Sequence, residues 1–159
     1  MTGAARPGRV VGLYTAPAAA TAMDAHADVE VVAGRGVVGD RYFAGTGTFW
    51  RAGKDGQDLT LIEREALDAL GARGLDLDGA RARRNVVTGG IDLNALVGAR
   101  FTVGEVECQG RRRCDPCAHL QGLTTPGVLR ALAHRGGLRA DVVRGGMVRL
   151  GDRVARVDS

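Results

Sequence analysis

The chain is poor in three features that several protein classes require. Its 159 residues include only three cysteines, and 4% of them are aromatic. A small, odd number of cysteines does not form the disulfide framework of a small secreted protein, so we expect a cytoplasmic location. Few aromatic rings for stacking on bases argue against nucleic acid as a partner. No apolar run is long enough to cross a membrane and no signal-peptide pattern opens the chain, so no membrane association is expected.

Positive charge is present, but it is modest and clustered. The formal net charge is +4 at pH 7, and arginines gather within 81–84 and within 111–113. Clusters of this size suit an anionic small molecule as a partner. The length is sufficient for one domain with its own core, so a single domain over 1–159 is expected, with its core at about 9–157.

Short apolar runs separated by glycine predict a strand-rich fold. The runs are rich in β-branched residues and are bounded by Gly, Asp or Asn, which is typical of strands. Residues 103–106 and 150–153 predict tight hairpins, whereas helical spacing predicts helices over 59–71 and 125–134. We therefore expect a mainly β fold, a barrel or sandwich with a few short helices. The predicted strands are 9–14, 29–32, 100–103, 106–108, 142–143, 147–150 and 153–157.

The segment Gly110–Leu120 concentrates reactive residue types. Cys114 and Cys117 form a Cys-x-x-Cys pair directly after three arginines, and His119 follows two residues later. Adjacent positive charge stabilises a thiolate, which is the reactive form of cysteine. Pro116 fixes its own backbone and restricts the residue before it, so the segment is predicted to be a shaped loop.

Four interpretations of this cysteine pair stay open from the residues alone. A nucleophilic or sulfur-carrying cysteine suits the adjacent cations; Cys117 is nearer to His119, and Cys114 would resolve a persulfide on it by forming a disulfide. Which of the two sulfurs acts is not decided by the pattern. A redox pair of the thioredoxin type would need a strand–helix context that the pattern does not supply. A structural zinc site would need Cys108, His119 or His134 as further ligands, and ordinary loop cysteines are the simplest alternative.

Two other segments have the composition of anion-binding loops. Asp40 follows a glycine-rich turn and would hold Arg41 ready for a phosphate or carboxylate, although a surface ion pair in a hairpin explains the same residues. The segment Arg83–Gly90 combines cations, an amide and a hydroxyl with a permissive backbone. A strand flanked by solvated arginines is the alternative. The Lys-Ser/Thr ending of a nucleotide-binding P-loop is missing, so nucleotide hydrolysis is not implied.

Taken in chain order, these motifs resemble one family, over roughly residues 9–157. The set is similar to a stand-alone MOSC domain, the module named after the C-terminal part of molybdenum cofactor sulfurases. The resemblance implies a closed β-barrel, a cysteine that can carry a persulfide, and a cleft able to bind a phosphorylated pterin. The motifs are Gly36-x-x-Gly39-Asp40-Arg41, Asp58-Leu-Thr-Leu-Ile62-Glu63, Arg83-Arg84-Asn85-x-x-Thr88-x-Gly90-x-x-Leu93-x-x-Leu96-x-Gly98, Pro116-Cys117, Arg135-Gly136-Gly137-x-Arg139-Ala140, and Gly145-Gly146 leading to Gly151-Asp152.

The resemblance also implies which residues form the site. It places the sulfur on Cys117, while the sequence around it adds Cys114 as the neighbouring thiol and His119 as a local acid or base. Arg111 to Arg113 would favour the thiolate. The expected substrate-binding residues are Asp40, Arg41, Arg83, Arg84, Asn85, Thr88, Arg113, Arg135 and Arg139.

These observations favour an enzyme that transfers or removes sulfur on an anionic small molecule, of the sulfurtransferase or carbon–sulfur lyase type. The alternative is a non-catalytic binding or carrier module for molybdenum cofactor or a related pterin.

Neither a metal nor a tightly bound cofactor is expected. A desulfurase is a candidate sulfur donor, because Lys54 is the single lysine and has no evident Schiff-base site around it. Exposed strand edges would allow a homodimer, and the Ala-, Arg- and Gly-rich composition is typical of a bacterial protein.

Overall fold

The computed structural model describes residues 7–18, 22–40, 43, 45, 53, 55–72, 83–114 and 136–157, and strands dominate them. One α-helix and one short 3-10 helix accompany the strands in this part of the chain. The strands are β1 (Gly8–Thr15), β2 (Asp24–Ala25), β3 (Asp28–Val32), β4 (Gly36–Val37), β5 (Leu59–Glu63), β6 (Val86–Gly89), β7 (Arg100–Val103), β8 (Val106–Arg113), β9 (Leu138–Arg144), β10 (Gly146–Arg149) and β11 (Arg153–Arg156); the helices are α1 (Arg64–Ala72) and the 3-10 helix Leu93–Leu96.

Seven of the strands close into a barrel. Their order is β11-β7-β8-β9-β5-β6-β1, and β1 pairs back with β11 to complete the ring. Neighbouring strands are antiparallel except β5 and β6, which are parallel. Strand β2 adds to one end of β1, while β10, β3 and β4 form a separate three-stranded sheet. The mainly β, closed-barrel prediction is confirmed.

Apolar side chains from alternate strand positions fill the barrel. In the barrel strand β7, Phe101 and Val103 are buried while Arg100 is exposed and Thr102 is half-buried, which is the period of two expected for a strand with one face inward. Phe101 is the largest of the fully buried side chains that the structure describes, and Leu61 and Leu138 pack in the same core. Burying each such side chain contributes roughly 1.5–3 kcal/mol to folding.

The helix predicted over 59–71 is wrong for its first part. Residues Leu59–Glu63 form strand β5, and the helix begins only at Arg64. Leu61 faces the barrel core, and its neighbour Ile62 is also fully buried; helix α1 packs back onto β5 and β6. A strand buried on both faces produces a continuous apolar run, and the spacing of such a run does not separate strand from helix.

The second predicted helix, 125–134, lies outside the described residues. None of the helices in the described part of the chain combines the length and apolar character that crossing a bilayer requires.

One of the two predicted hairpins is confirmed. Val103 pairs with Val106 across a turn in which Gly104 has a φ of 57°. The turn at 150–153 instead connects β10, which pairs with β3, to β11, which pairs with β7 and β1. The second hairpin is wrong because turn residues indicate a change of chain direction, not whether the flanking strands pair.

Strand β8 runs further than predicted. The residues Gly110–Arg113 belong to the strand, so the shaped loop predicted for 110–120 does not begin before Cys114, and the rest of it lies outside the described residues. A Cβ atom on Gly110 would overlap the carbonyl oxygen of Leu96. Glycine at this position therefore lets β8 pass the 3-10 helix and continue to Cys114.

Candidate functional site

Strands β8 and β9 are held together up to the residues that flank the undescribed segment 115–135. Arg113 pairs with Leu138, and the N–H of Cys114 donates to the carbonyl of Gly137 over 2.7 Å. The chain therefore leaves and re-enters the described structure at neighbouring points. Four predicted site residues lie outside the described residues: Arg41, Cys117, His119 and Arg135.

Gly137 allows β9 to begin directly against β5. Its φ is 111°, and a Cβ atom there would overlap the carbonyl oxygen of Leu61. An L side chain would meet both a steric clash and an unfavourable backbone conformation. The start of β9 is thus fixed by a close backbone approach that only glycine permits.

Arg84 is a buried cation at the same place, with 7% of its surface exposed. Its Nε donates to the carbonyl of Gly136 over 2.9 Å, and its Nη2 donates to the carbonyl of Cys114 over 3.3 Å. One guanidinium therefore contacts the chain on both sides of residues 115–135. The alternative of solvated arginines flanking a strand is wrong for Arg84.

The residue before it has an unusual backbone conformation. Among the described residues, Arg83 is the only non-glycine with a positive φ, 62°. Residues with a side chain seldom adopt this region, and they are found there mostly where the surrounding structure imposes it. This conformation immediately precedes Arg84 and Asn85, which lead into strand β6.

Asn85 joins three strands through its backbone and side chain. Its N–H donates to the Thr60 hydroxyl over 3.0 Å, and its Oδ1 accepts from the Thr60 N–H and hydroxyl, each over 3.2 Å. Its Nδ2 donates to the carbonyl of Tyr14 over 3.2 Å. Only 5% of Asn85 is exposed, so these contacts satisfy an amide that would otherwise be buried at a cost.

Asp40 reaches the same end of β1. It is 3% exposed, and its Oδ1 accepts from the N–H of Ala16 over 3.0 Å. Since Asn85 contacts Tyr14 and Asp40 contacts Ala16, strand β1 brings these two predicted site residues together. Asp40 is therefore buried and not at the surface, while Arg41, the other member of the expected ion pair, lies outside the described residues. We refer to Asp40, Arg84, Asn85 and Cys114 as the strand-end cluster.

Thr88 is not part of this cluster. It is completely buried, it pairs in register with Glu63, and alternation along β6 places its side chain on the same face as Val86, within the barrel. Its hydroxyl has no hydrogen-bond partner among the described residues. The structure therefore separates Thr88 from the other predicted site residues of the same motif.

Two arginines of β8 are already paired with carboxylates. Arg111 Nε lies 2.6 Å from Asp141 Oδ2, and this hydrogen bond raises the pKa of Arg111. Arg112 lies 2.7 Å from Asp55. A cation with a nearby carboxylate adds less positive potential to its surroundings than an isolated one. The support that Arg111 and Arg112 give to a neighbouring thiolate is correspondingly reduced.

Arg139 lies beside the strand-end cluster. It is half-buried, and in the sheet it stands between Thr60 on β5 and Arg112 on β8. Because Thr60 is the hydrogen-bond partner of Asn85, Arg139 is next to that contact. Arg113, which is exposed, occupies the last position of β8.

The two described cysteines do not belong to one site. Cys108 is buried in the barrel core, and burial, followed by the charges of Asp58, Glu107 and Asp141, raises its pKa to about 12. Cys114 is buried at the strand end, six residues further along an extended chain. That separation is about 20 Å, far beyond the reach of a shared zinc ion with Zn–S bonds of about 2.3 Å. The described residues contain no group of ligands able to hold a metal.

The MOSC domain model matches residues 48–155. This chain belongs to the MOSC domain family. The family includes sulfur-handling and molybdenum-cofactor-related proteins. No curated protein matches the chain significantly.

Solved structures share the fold at low sequence identity. YuaD from Bacillus subtilis is 18% identical, with a TM-score of 0.74 and 94% of each chain covered. YiiM from Geobacillus stearothermophilus is 16% identical, with a TM-score of 0.72, covering 96% of this chain and 76% of that one. YiiM from Escherichia coli is 17% identical, with a TM-score of 0.68, covering 97% of this chain and 71% of that one. These similarities show the fold.

Two contributors to the strand-end cluster were not singled out from the sequence. Thr60 interrupts an apolar run, and a hydroxyl in such a run is a signal that it has a buried partner. Gly137 follows another glycine, a pattern that in a sequence indicates only a turn, whereas its role is the close approach to Leu61.

Proposed function

We propose that this MOSC protein is an enzyme that transfers or removes sulfur on an anionic small molecule, with Cys117 carrying the sulfur. The observation that supports it is the strand-end cluster: Asp40, Arg84 and Asn85, all buried and polar, lie where the chain leaves strand β8 at Cys114. Cys117 follows three residues later in the sequence.

The environment of Cys114 favours Cys117 as the acting sulfur. Cys114 is 1% exposed, and both its N–H and its carbonyl are hydrogen-bonded, to Gly137 and Arg84. A thiol enclosed in this way does not meet a substrate, and buried structural cysteines are generally inert. We assign Cys114 a packing role.

The proposed step is a thiol–persulfide exchange. The Cys117 thiolate attacks the outer sulfur of a donor persulfide, the S–S bond of the donor breaks, and the donor leaves as a thiolate. Cys117 then carries one additional sulfur, and no external oxidant or reductant is consumed. The donor is a desulfurase or a small persulfide, and His119 is the proposed local acid or base.

Arginines near the two strand ends would orient the anionic substrate. Arg139 and Arg113 lie on β9 and β8 beside the strand-end cluster. A guanidinium binds a phosphate or carboxylate through paired hydrogen bonds. Three further cations are assigned to substrate orientation: Arg41, Arg83 and Arg135.

A carrier of molybdenum cofactor or a related pterin is the second candidate. The pairing of Arg111 with Asp141 and of Arg112 with Asp55 favours it, because these cations then contribute less to activating a thiol. Arg113 and Arg139 fit the phosphate of such a cofactor, which would supply the metal-bound sulfur chemistry when present. In this case Cys117 serves only as a ligand or not at all.

Intact-protein mass spectrometry distinguishes the two candidates. The wild type, Cys114→Ser and Cys117→Ser are incubated with a small-molecule persulfide, with and without reductant. The enzyme proposal expects a gain of one sulfur, about 32 Da, that reductant removes and that only Cys117→Ser abolishes. Absence of the adduct from every variant, with pterin binding retained in Cys117→Ser, would favour the carrier.

A further inference from the structure

The contacts of Arg84 differ from the anion contact expected from the sequence. Its Nε and Nη2 donate to the carbonyls of Gly136 and Cys114, over 2.9 and 3.3 Å. These two residues flank the segment that contains Cys117. A guanidinium presents its donors in a rigid planar fork, so the two carbonyls are held in a fixed relative position.

We propose that Arg84 is a positioning residue that fixes Cys114 relative to Gly136 and thereby sets the point from which the chain proceeds to Cys117. This inference rests on the proposed function, since it takes Cys117 as the reacting residue. It assigns Arg84 to the backbone rather than to the substrate.

The structure around Arg84 restricts its position. Arg84 is 7% exposed, and Arg83 before it adopts a positive φ of 62°, a backbone conformation that residues with side chains seldom adopt. The N–H of Cys114 donates to Gly137, which is itself packed against Leu61 without room for a side chain. Hydrogen bonds from a charged donor are generally stronger than neutral ones, so Arg84 adds a second link between the two strand ends beside the backbone bond of Cys114 to Gly137.

Two substitutions separate charge from geometry. Arg84→Lys keeps the positive charge and loses the planar fork, whereas Arg84→Gln loses the charge as well. The matched control is Arg100→Lys, because Arg100 is exposed and donates to Glu107 and Gln109 on the strand next to its own.

The first readout is the amide exchange rate of Cys114, measured by NMR well below the unfolding temperature. Loss of the fork loosens the contact between Cys114 and Gly137, so we expect exchange at least about tenfold faster in Arg84→Lys and Arg84→Gln, with Arg100→Lys at the wild-type rate. An unchanged exchange rate in Arg84→Lys would overturn the proposal. If Arg84→Gln does not fold, the exchange rate of Cys114 in Arg84→Lys alone tests the proposal.

The second readout is the modification rate of Cys117 by neutral iodoacetamide and by anionic iodoacetate. If Arg84 is a positioning residue, both modification rates change in the same direction in the folded Arg84→Lys variant, by about threefold or more. The ratio of the iodoacetate rate to the iodoacetamide rate then stays within about twofold of the wild-type ratio. If Arg84 instead contacts the anion, Arg84→Gln slows the reaction of Cys117 with iodoacetate but not with iodoacetamide, and Arg84→Lys reacts like the wild type. That result would contradict the proposal.

The two readouts also separate this inference from the proposed function. If Cys117 gains no sulfur from a persulfide, the proposed function fails while the exchange result at Cys114 still stands. If Cys117 carries sulfur and the exchange rate at Cys114 is unchanged, only the role of Arg84 fails.

Discussion

Asn85 directly precedes strand β6 and Thr88 lies near the far end of that strand, and both are buried, at 5% and 0% exposure. At the first end the Asn85 side chain makes hydrogen bonds to Thr60 and Tyr14 on the two neighbouring strands. At the other end the Thr88 hydroxyl has no partner among the described residues. The two residues belong to one sequence motif and were given one role, yet their surroundings are opposite.

The difference separates two uses of buried polar groups. A buried polar group costs free energy unless it is hydrogen-bonded, and removing one partner of a bonded pair leaves the other unpaired. Asn85 therefore stabilises the junction of three strands, where Arg84 and Cys114 also lie. The Thr88 hydroxyl adds no comparable contact and lies in an apolar interior.

The largest expected effect is at the bonded end. Asn85→Ala removes partners from Thr60 and Tyr14 inside the protein, so we expect the free energy of unfolding to fall by about 2–4 kcal/mol. Urea denaturation measures the change. The control is Glu30→Ala at an exposed position of strand β3, expected within about 0.5 kcal/mol of the wild type. A loss below about 1 kcal/mol for Asn85→Ala would show that the two ends do not differ.

The next prediction concerns the backbone approach at the same end. Gly137→Ala places a methyl group against the carbonyl of Leu61 in a positive-φ conformation, so we expect a loss of about 2–3 kcal/mol. Gly34→Ala is the control, since Gly34 also has a positive φ, 72°, but open space around it. Its loss, from backbone strain alone, is expected to be about 1 kcal/mol. Thermal unfolding measures both variants. Equal losses of unfolding free energy in Gly137→Ala and Gly34→Ala would contradict the role of the close approach to Leu61.

At the other end the expected effect is smaller and opposite in sign. Thr88→Val replaces a hydroxyl without a described partner by a methyl group of similar shape, so we expect a gain of about 1 kcal/mol in unfolding free energy and unchanged sulfur transfer. Thr102→Val is the control, because the Thr102 hydroxyl donates to the carbonyl of Ala155, and it is expected to lose stability. A loss in Thr88→Val would mean that its hydroxyl is bonded.

The smallest effect concerns a half-buried carboxylate. Burial raises the pKa of Asp58 above 3.8, although the N–H of Val142 donates to it and opposes the shift. Its ionised form therefore disfavours folding at neutral pH, and stability rises as pH falls through the raised pKa toward 3.8. We expect Asp58→Asn, which retains an acceptor for Val142, to be slightly more stable than the wild type at pH 7. That advantage disappears near pH 4; a constant difference across this range would contradict the assignment.

Much of the barrel could be predicted because strand signals are local. Runs such as Arg100–Val103 carry β-branched or aromatic residues, and glycine marks their ends. Leu59–Glu63 was assigned to a helix because both of its faces are buried, one of them in the barrel. The pairing of β10 with β3 depends on residues far apart in sequence, which turn signals do not specify.

The candidate site could be predicted only as a set of residue types. The composition of Arg83–Gly90 indicates polar chemistry, but not that Arg84 contacts the backbone and Thr88 faces the core. These outcomes depend on where the ends of β8 and β9 meet β5 and β6 in space. The one local signal was Thr60, a hydroxyl within an apolar run.

The most direct test of the account is the labelling of each cysteine by iodoacetamide in the native protein at pH 7, located by peptide mass spectrometry. We expect modification of Cys117 and no modification of Cys114 or Cys108 until the protein unfolds, because both are buried and the pKa of Cys108 is raised to about 12. Labelling of Cys114 as fast as Cys117, or a Cys117 that reacts only after unfolding, would contradict the assignment of Cys117 as the reactive sulfur.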